Sequence, residues 1–334
     1  MKMLAKIAGE FQFRFLSLFI LFIRVLPYRV AVAMGRFFGI IAWMCIPLHR
    51  KIVQTQSRHA LGLDDGNEKR MAFKVFMHQG ELVIDTIRFA YMDDEEIKER
   101  IVIEGREHVE AAVASDRGVV GVVGHTNWEI IGTIPRILGI ELCAMGDIIK
   151  NPGIQSILED IRSRYRITVL PPKGGMVSLL TNELKNARTI AIAIDQRGRR
   201  ENKLFCNFFG MPAPTSAVPA LVALRGDALI QPVSAIKRGD KYTIRFEKTI
   251  DSREFGDDFK KIDKLSDCWR SDAIQKLSDT IQSWMSSVVM ECPEQYFWLH
   301  TRWLRRSDMK RLLKSGADFK EYVREQVDKY LQAG

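Results

Sequence analysis

His125 and Glu129, four positions apart in Gly124-His125-Thr126-Asn127-Trp128-Glu129, form the pair in this chain best suited to proton transfer. On a helix, side chains at i and i+4 share a face with Cβ atoms about 5–6 Å apart. A carboxylate there can bond one imidazole nitrogen and fix the tautomer. It also stabilises the imidazolium formed when the other nitrogen takes a proton from a hydroxyl. The same spacing fits a plainer alternative, a histidine at a helix start followed by an acid that favours the helix dipole. His49, His59, His78 and His108 lie in helical or charged contexts and have no partner at useful spacing.

Other chemistry leaves no trace. There is no G-x-S-x-G elbow, no G-x-x-x-x-G-K-[ST] loop, no H-E-x-x-H and no G-x-G-x-x-G opening a helix, so serine hydrolases, P-loop NTPases, zinc peptidases and nicotinamide enzymes lose support. Cys45, Cys143, Cys206, Cys268 and Cys292 are odd in number, far apart and never C-x-x-C. They suggest neither a disulfide framework nor a zinc site, and they fit a reducing environment. No metal and no cofactor is expected.

The pattern of elements places the histidine. Val119 to Val123 reads as a buried strand and leads directly into Gly124-His125. In open α/β sheets ligands gather beyond the carboxyl ends of strands, where this imidazole would stand. Further β-branched runs are Ile101 to Glu104, Ile140 to Met145, Thr168 to Leu170, Thr189 to Ile194 and Leu229 to Ile236, with Lys241 to Phe246 alternating like an edge or hairpin strand. Between them lie helical patterns at Glu129 to Leu138, Asn151 to Arg164, Met176 to Lys185 and Ser216 to Arg225. The alternation predicts an α/β fold with a largely parallel sheet flanked by helices. Helical additions flank it, Glu68 to Tyr91 on one side, Ser271 to Met290 and Asp308 to Leu331 on the other. The expected division is 1–60 as basic apolar helices, 61–306 as the α/β domain and 307–334 as a helical tail.

Charge is concentrated at the start. The chain has 334 residues and a formal net charge of +9. Residues 1–58 hold nine Lys or Arg against Glu10 alone, so +8 of that charge lies in this leader. The leader is also apolar, with Phe15 to Ile23 and Phe37 to Leu48 as its longest runs. Neither run reaches the roughly 18–20 uninterrupted apolar residues of a simple spanning helix. Arg14, Arg24 and Arg36 bracket or interrupt them, which fits in-plane helices with snorkelling cations. A secretory signal peptide is a second reading, although Arg24, Val25, Leu26 and Pro27 follow Ile23 where small residues would mark cleavage. A buried helical hairpin is a third. The cations are interleaved with aliphatic residues, so an anionic membrane surface is the expected polyanion and no nucleic acid is.

The ordered set of motifs resembles the lipid A biosynthesis acyltransferase family, over most of the chain. Members resemble G-H-x-G-N-W-[DE] at the active site, and Gly124 to Glu129 supplies that series with one residue fewer. Asn151-Pro152, Arg162 with Arg164, Asp195-Gln196, Phe208 to Thr215 (FFGMPAPT) and Pro293 to His300 (PEQYFWLH) match further segments. Three residues rather than four separate His125 from Glu129, and Arg166 stands where many relatives have glycine.

The resemblance implies an O-acyltransferase. It would move a fatty acyl chain from a thioester, on acyl carrier protein or coenzyme A, to a hydroxyl of a membrane lipid or glycolipid. It implies His125 as general base, Glu129 as its carboxylate, and substrate contacts from Asn127, Arg162, Arg164, Asp195, Gln196 and Arg197. Arg162 and Arg164 are candidates for the charge that develops on the thioester oxygen, and Asp195 for organising arginines. Arg197, Arg199 and Arg200 are candidates for a lipid phosphate or the donor's phosphopantetheine. The implied location is the cytoplasmic face of a bacterial inner membrane, held peripherally or by one marginal span. The alternatives are a non-catalytic lipid-binding or scaffold relative with a degenerate His/Glu motif, and a thioesterase or lipid hydrolase.

Overall fold

Short β-branched runs and amphipathic stretches alternate through the middle of the chain, and they fold with the periods their side chains impose. A computed structural model of the chain describes residues 2–145, 149, 151–170, 175–186, 188–198 and 204–332. The leader forms α1 (Lys2–Val25), α2 (Tyr28–Cys45) and α3 (Pro47–Leu61), with Pro27 capping α2 and Pro47 opening α3. Then come α4 (Asn67–Tyr91), α5 (Asp94–Arg100), β1 (Ile101–Glu104), α6 (Arg106–Val113), β2 (Val119–Val123), α7 (Trp128–Ile131), α8 (Ile134–Leu138) and β3 (Leu142–Met145). They are followed by α9 (Pro152–Arg164), β4 (Ile167–Leu170), α10 (Met176–Lys185), β5 (Thr189–Ala193), β6 (Phe205–Phe208), β7 (Met211–Pro214) and α11 (Val218–Arg225). The last elements are β8 (Leu229–Arg238), β9 (Lys241–Phe246), β10 (Ile250–Asp251), α12 (Asp272–Glu291), α13 (Arg306–Ser315) and α14 (Phe319–Gln332).

The main sheet runs β1-β9-β8-β2-β5-β3-β4, with β10 paired to the start of β8. Strands β8, β2, β5, β3 and β4 are mutually parallel, and β9 turns back antiparallel to β8. This is the expected α/β fold with a largely parallel sheet. Two details differ from the sequence reading. The helix expected over 129–138 is two short ones, α7 and α8, because the chain turns at Gly132-Thr133. The helical segments expected over Asp308 to Leu331 are α13 and α14, separated at the left-handed Gly316. FFGMPAPT contains a strand and turn, since Phe209 and Gly210 both have positive φ and join β6 to β7 as a two-residue hairpin turn.

The sheet buries both faces. Val120 and Val122 of β2 join one core with Ile190 and Ile192, whereas Val123 joins the other with Val233 and Ile244. Helix α4 contributes to every layer: Val75 and Phe76 to the first core, Leu82 and Phe89 to the second, Ile84 and Ile87 to a third with Ile20 and Ile23 of α1. Helix α2 lies against α4 without intervening side chains at Gly35, Gly39 and Gly80. Polar pins reinforce this packing. Arg36 of α2 bonds Glu81 of α4 at 2.8 Å, and Lys237 at the end of β8 reaches both Glu81 and Asp85. Burial alone would push the Lys237 ammonium down, but Asp85, Tyr28 and Glu81 hold it above its ordinary range, so it stays charged.

A Cβ at position 80 would stand 2.1 Å from the Gly35 carbonyl oxygen and 2.8 Å from the Gly39 nitrogen, so Gly80→Val must push α2 off α4. The expected loss is about 1–3 kcal/mol, as for other overpacked sites. It is read as a lower Tm with faster limited proteolysis between residues 26 and 46; an unchanged Tm and cleavage pattern would show that α2 is not held by this contact.

Candidate active site

His125 and Asp195 each lie two residues beyond a strand end, after β2 and β5 respectively. These strands are adjacent and parallel, with Val123 opposite Ala193, so the two residues emerge side by side. The ladder continues past the strands through Ile194 N–H to the Val123 carbonyl at 3.0 Å. Asp195 then takes two bonds from His125. Its Oδ1 lies 2.6 Å from the ring Nδ1, and its Oδ2 accepts the backbone N–H at 2.7 Å. An ionised carboxylate only accepts, so Nδ1 carries the proton and Nε2 keeps a lone pair. That lone pair accepts the exposed Gln196 amide at 3.0 Å. Trp128, Phe297 and His300 surround the ring, with centroids 5.3, 6.4 and 5.9 Å from it.

The orienting bond expected from Glu129 therefore comes from Asp195. The physical reason lies in the loop: Asn127 adopts φ 51, in the left-handed region, so residues 125–129 are not one helical turn and the i,i+4 geometry does not apply. Glu129 sits in the first turn of α7, half-buried, with its Oε2 fully buried and without a hydrogen-bond partner among the described residues. Its relation to His125 is through space.

Electrostatics separates the two acids. Burial pushes the Asp195 carboxyl up, but the charge and bonds of His125 outweigh it and hold it below its ordinary value. Burial raises the Glu129 carboxyl to about 7, its own backbone and the charge of His125 opposing only weakly. Burial would lower the imidazole, yet Asp195, then Glu129, carry it above its ordinary 6.5.

Asn127, expected to touch substrate, is wholly buried and engaged within the protein. Its Nδ2 donates to the Ala235 carbonyl at 2.9 Å and to Gln295 Oε1 at 2.7 Å, while its Oδ1 lies 2.7 Å from Nε2 of His78. With both amide hydrogens and the carbonyl so used, it shapes the loop. His78, for which spacing offered no partner, is that partner. Arg164 pairs with Asp160 at 2.9 Å and stacks on Tyr91, and no described bond joins it or Arg162 to His125. Arg197 is half-buried, with Nη1 buried and unbonded among the described residues. Arg199 and Arg200 lie outside the described residues. Arg166 has φ 60 after α9, in the left-handed region that glycine adopts most readily.

The remaining motifs brace this cluster. Thr126 pairs with Tyr296 as an isolated bridge, and Phe297 N–H donates to the His125 carbonyl at 3.0 Å, so PEQYFWLH lies along the histidine loop. Gln282 of α12 donates to the Ile194 carbonyl at 2.7 Å and accepts from Arg302 at 3.1 Å, which also holds Pro214 and Thr215 of FFGMPAPT. Residues 4–305, which contain all of these motifs, match the family described as bacterial lipid A biosynthesis acyltransferase. The chain belongs to this family. It is similar to the lipid A biosynthesis palmitoleoyltransferase of Escherichia coli (strain K12), at 23% identity over 287 residues, 84% of this chain and 87% of that protein. It is likewise similar to the lipid A biosynthesis acyltransferase of Shigella flexneri, at 23% identity and the same coverage. As a family member it is an acyltransferase that transfers acyl groups to a lipid.

Asp195→Asn removes the charge that raises the imidazole and the acceptor that fixes its tautomer. Activity is expected to fall by about 10²–10⁴-fold. With the neutral imidazole as the candidate base, the sign for pH follows. In the native enzyme the acid limb of kcat/KM should lie above 6.5, and in the variant, where burial dominates, it should move to lower pH. A limb at the same pH in both would separate Asp195 from the titrating group.

Proposed function

We propose that the enzyme is an O-acyltransferase using His125 as general base, with the acyl chain arriving on a thioester of acyl carrier protein or coenzyme A and leaving on a hydroxyl of a membrane glycolipid. The observation that carries this reading is the imidazole held on Asp195 through Nδ1, with an Nε2 lone pair whose partner among the described residues is the exposed Gln196 amide. The acceptor hydroxyl takes the place of Gln196 at Nε2 and gives up its proton as its oxygen attacks the thioester carbonyl. The tetrahedral intermediate expels thiolate, which recovers the proton from the imidazolium. A thiol of pKa about 8.5 leaves without strong acid assistance, so one base serves both halves of the reaction. Both substrates are held together and no acyl-enzyme is required.

Asp195 orients the ring, and Glu129, as it ionises around its raised pKa of about 7, favours the imidazolium through space. Charge on the thioester oxygen is met by the Gln196 amide, once displaced from Nε2, and by Arg197, which follows it in the chain and leaves Nη1 unbonded among the described residues, in preference to Arg164, which is committed to Asp160. Apolar residues of the leader support a bilayer location. Leu18, Leu21, Phe22 and Val25 of α1 and Phe37 and Phe38 of α2 are exposed. Although α2 is long and apolar enough to cross a membrane, its packing on α4 and the Arg36–Glu81 pair favour a helix lying in the surface.

The test is transfer of radiolabelled acyl groups from a thioester to membrane lipid. His125→Ala is expected to lower turnover at least about 10³-fold while Tm is retained, and Glu129→Gln to lose less than Asp195→Asn because it removes a through-space effect alone. Undiminished transfer by His125→Ala would end the assignment of the base.

A further inference from the structure

We propose that a cleft between the C-terminal ends of α1 and α4 binds the phosphate of an anionic membrane lipid. The cleft encloses about 240 Å³ and has two kinds of wall. Leu21 and Val25 of α1 and Met92 supply apolar lining, and Arg24, Arg88 and the Tyr91 ring supply cationic and aromatic lining. Four guanidinium groups lie on two phenols, Arg24, Arg88 and Tyr91 lining the cleft and Arg100, Arg164 and Tyr28 beside it. Arg24 and Arg164 lie 4.3 and 4.0 Å from the Tyr91 ring centre, and Arg100 and Arg88 lie 4.1 and 5.6 Å from that of Tyr28. Their acidic neighbours are Glu96, which lines the cleft, Asp85, which is held by Lys237 and Tyr242, and Asp160, whose Oδ2 is taken up by Arg164 and the Tyr91 hydroxyl.

Two of the arginines retain unused donors. Arg24 makes no hydrogen bond or ion pair among the described residues. Nη1 of Arg88 donates to the Ile23 and Leu26 carbonyls at the end of α1, at 2.9 and 2.7 Å, but its Nε is buried with no partner among the described residues. A buried guanidinium N–H without an acceptor is uncommon, and phosphate oxygens match its geometry. The choice of lipid over free phosphate rests on the apolar wall and on the exposed Leu18 and Phe22 of α1, which extend hydrocarbon surface away from the cations. Tyrosine and arginine beside apolar residues are the composition of the headgroup layer.

The site is separate from the reacting imidazole. Helix α4 runs from His78, which bonds Asn127 of the catalytic loop, to Arg88, roughly 15 Å along its axis. The proposal goes beyond acyl transfer and is read by binding alone, so it stands or falls apart from His125.

The experiment is calorimetric titration of the full chain with monomeric dihexanoyl phosphatidylglycerol, which presents no charged surface. Arg24→Gln is expected to weaken binding at least about tenfold, the loss of a charge-assisted bond. Arg88→Lys should weaken it too. Arg14→Gln, with the same charge change at an exposed position of the same helix, should leave it unaltered. Equal effects of the Arg14 and Arg24 substitutions would reduce the cleft to diffuse attraction, and inorganic phosphate competing as strongly as the lipid would make it a free-anion site. Either result overturns the proposal.

Discussion

The bond between His125 Nδ1 and Asp195 is the contact on which the site depends, and it exists because two parallel strands end in register. Parallel neighbours deliver their carboxyl-terminal loops at the same edge of a sheet, so residues equally far past aligned strand ends meet. What surrounds the pair keeps the ends aligned. Gln282 and Arg302 hold the Ile194 carbonyl and FFGMPAPT, and PEQYFWLH closes over the histidine by backbone bonds. Motifs scattered through the chain thus share one task, the placement of an imidazole.

Two carboxyl groups address that imidazole from unlike surroundings. Asp195 is buried but bonded to charge and stays ionised, whereas Glu129 is buried at its Oε2 without a donor and rises to about 7. Environments that drive two acids apart in this way distinguish roles at one site. Asp195 acts on position and tautomer, and Glu129 acts on charge. The shorter His-to-Glu spacing is accommodated because the left-handed Asn127 breaks the helix before it starts, and the buried bonds of Asn127 hold that conformation.

Helix α4 links this edge to the leader. Its middle bonds the His125 loop through His78, its glycine faces α2, its acids clasp Lys237 of β8, and its end meets α1 through Arg88 and the Arg24–Tyr91 stack. A buried ion cluster of this kind is weak evidence for stability but fixes one arrangement of helices, since any other leaves a charge unpaired. The apolar face of the leader and the reaction edge are consequently carried on a common frame.

Sequence alone determined the α/β class, most strand positions, the basic apolar leader and the place of His125 at a strand's carboxyl end, because each rests on local pattern: period-2 runs, turn residues and a histidine directly after a buried strand. The resemblance also drew Asp195, Gln196 and Arg197 into the site. Only the tertiary structure decided which acid holds the ring, because that depends on β2 and β5 being neighbours, and strand order leaves no mark in either strand. It likewise moved Asn127 from substrate to scaffold and Arg164 to the Tyr91 stack, since burial and partners are properties of packed elements. A helix start can be read within four residues, but an encounter between residues 125 and 195 is made by the sheet.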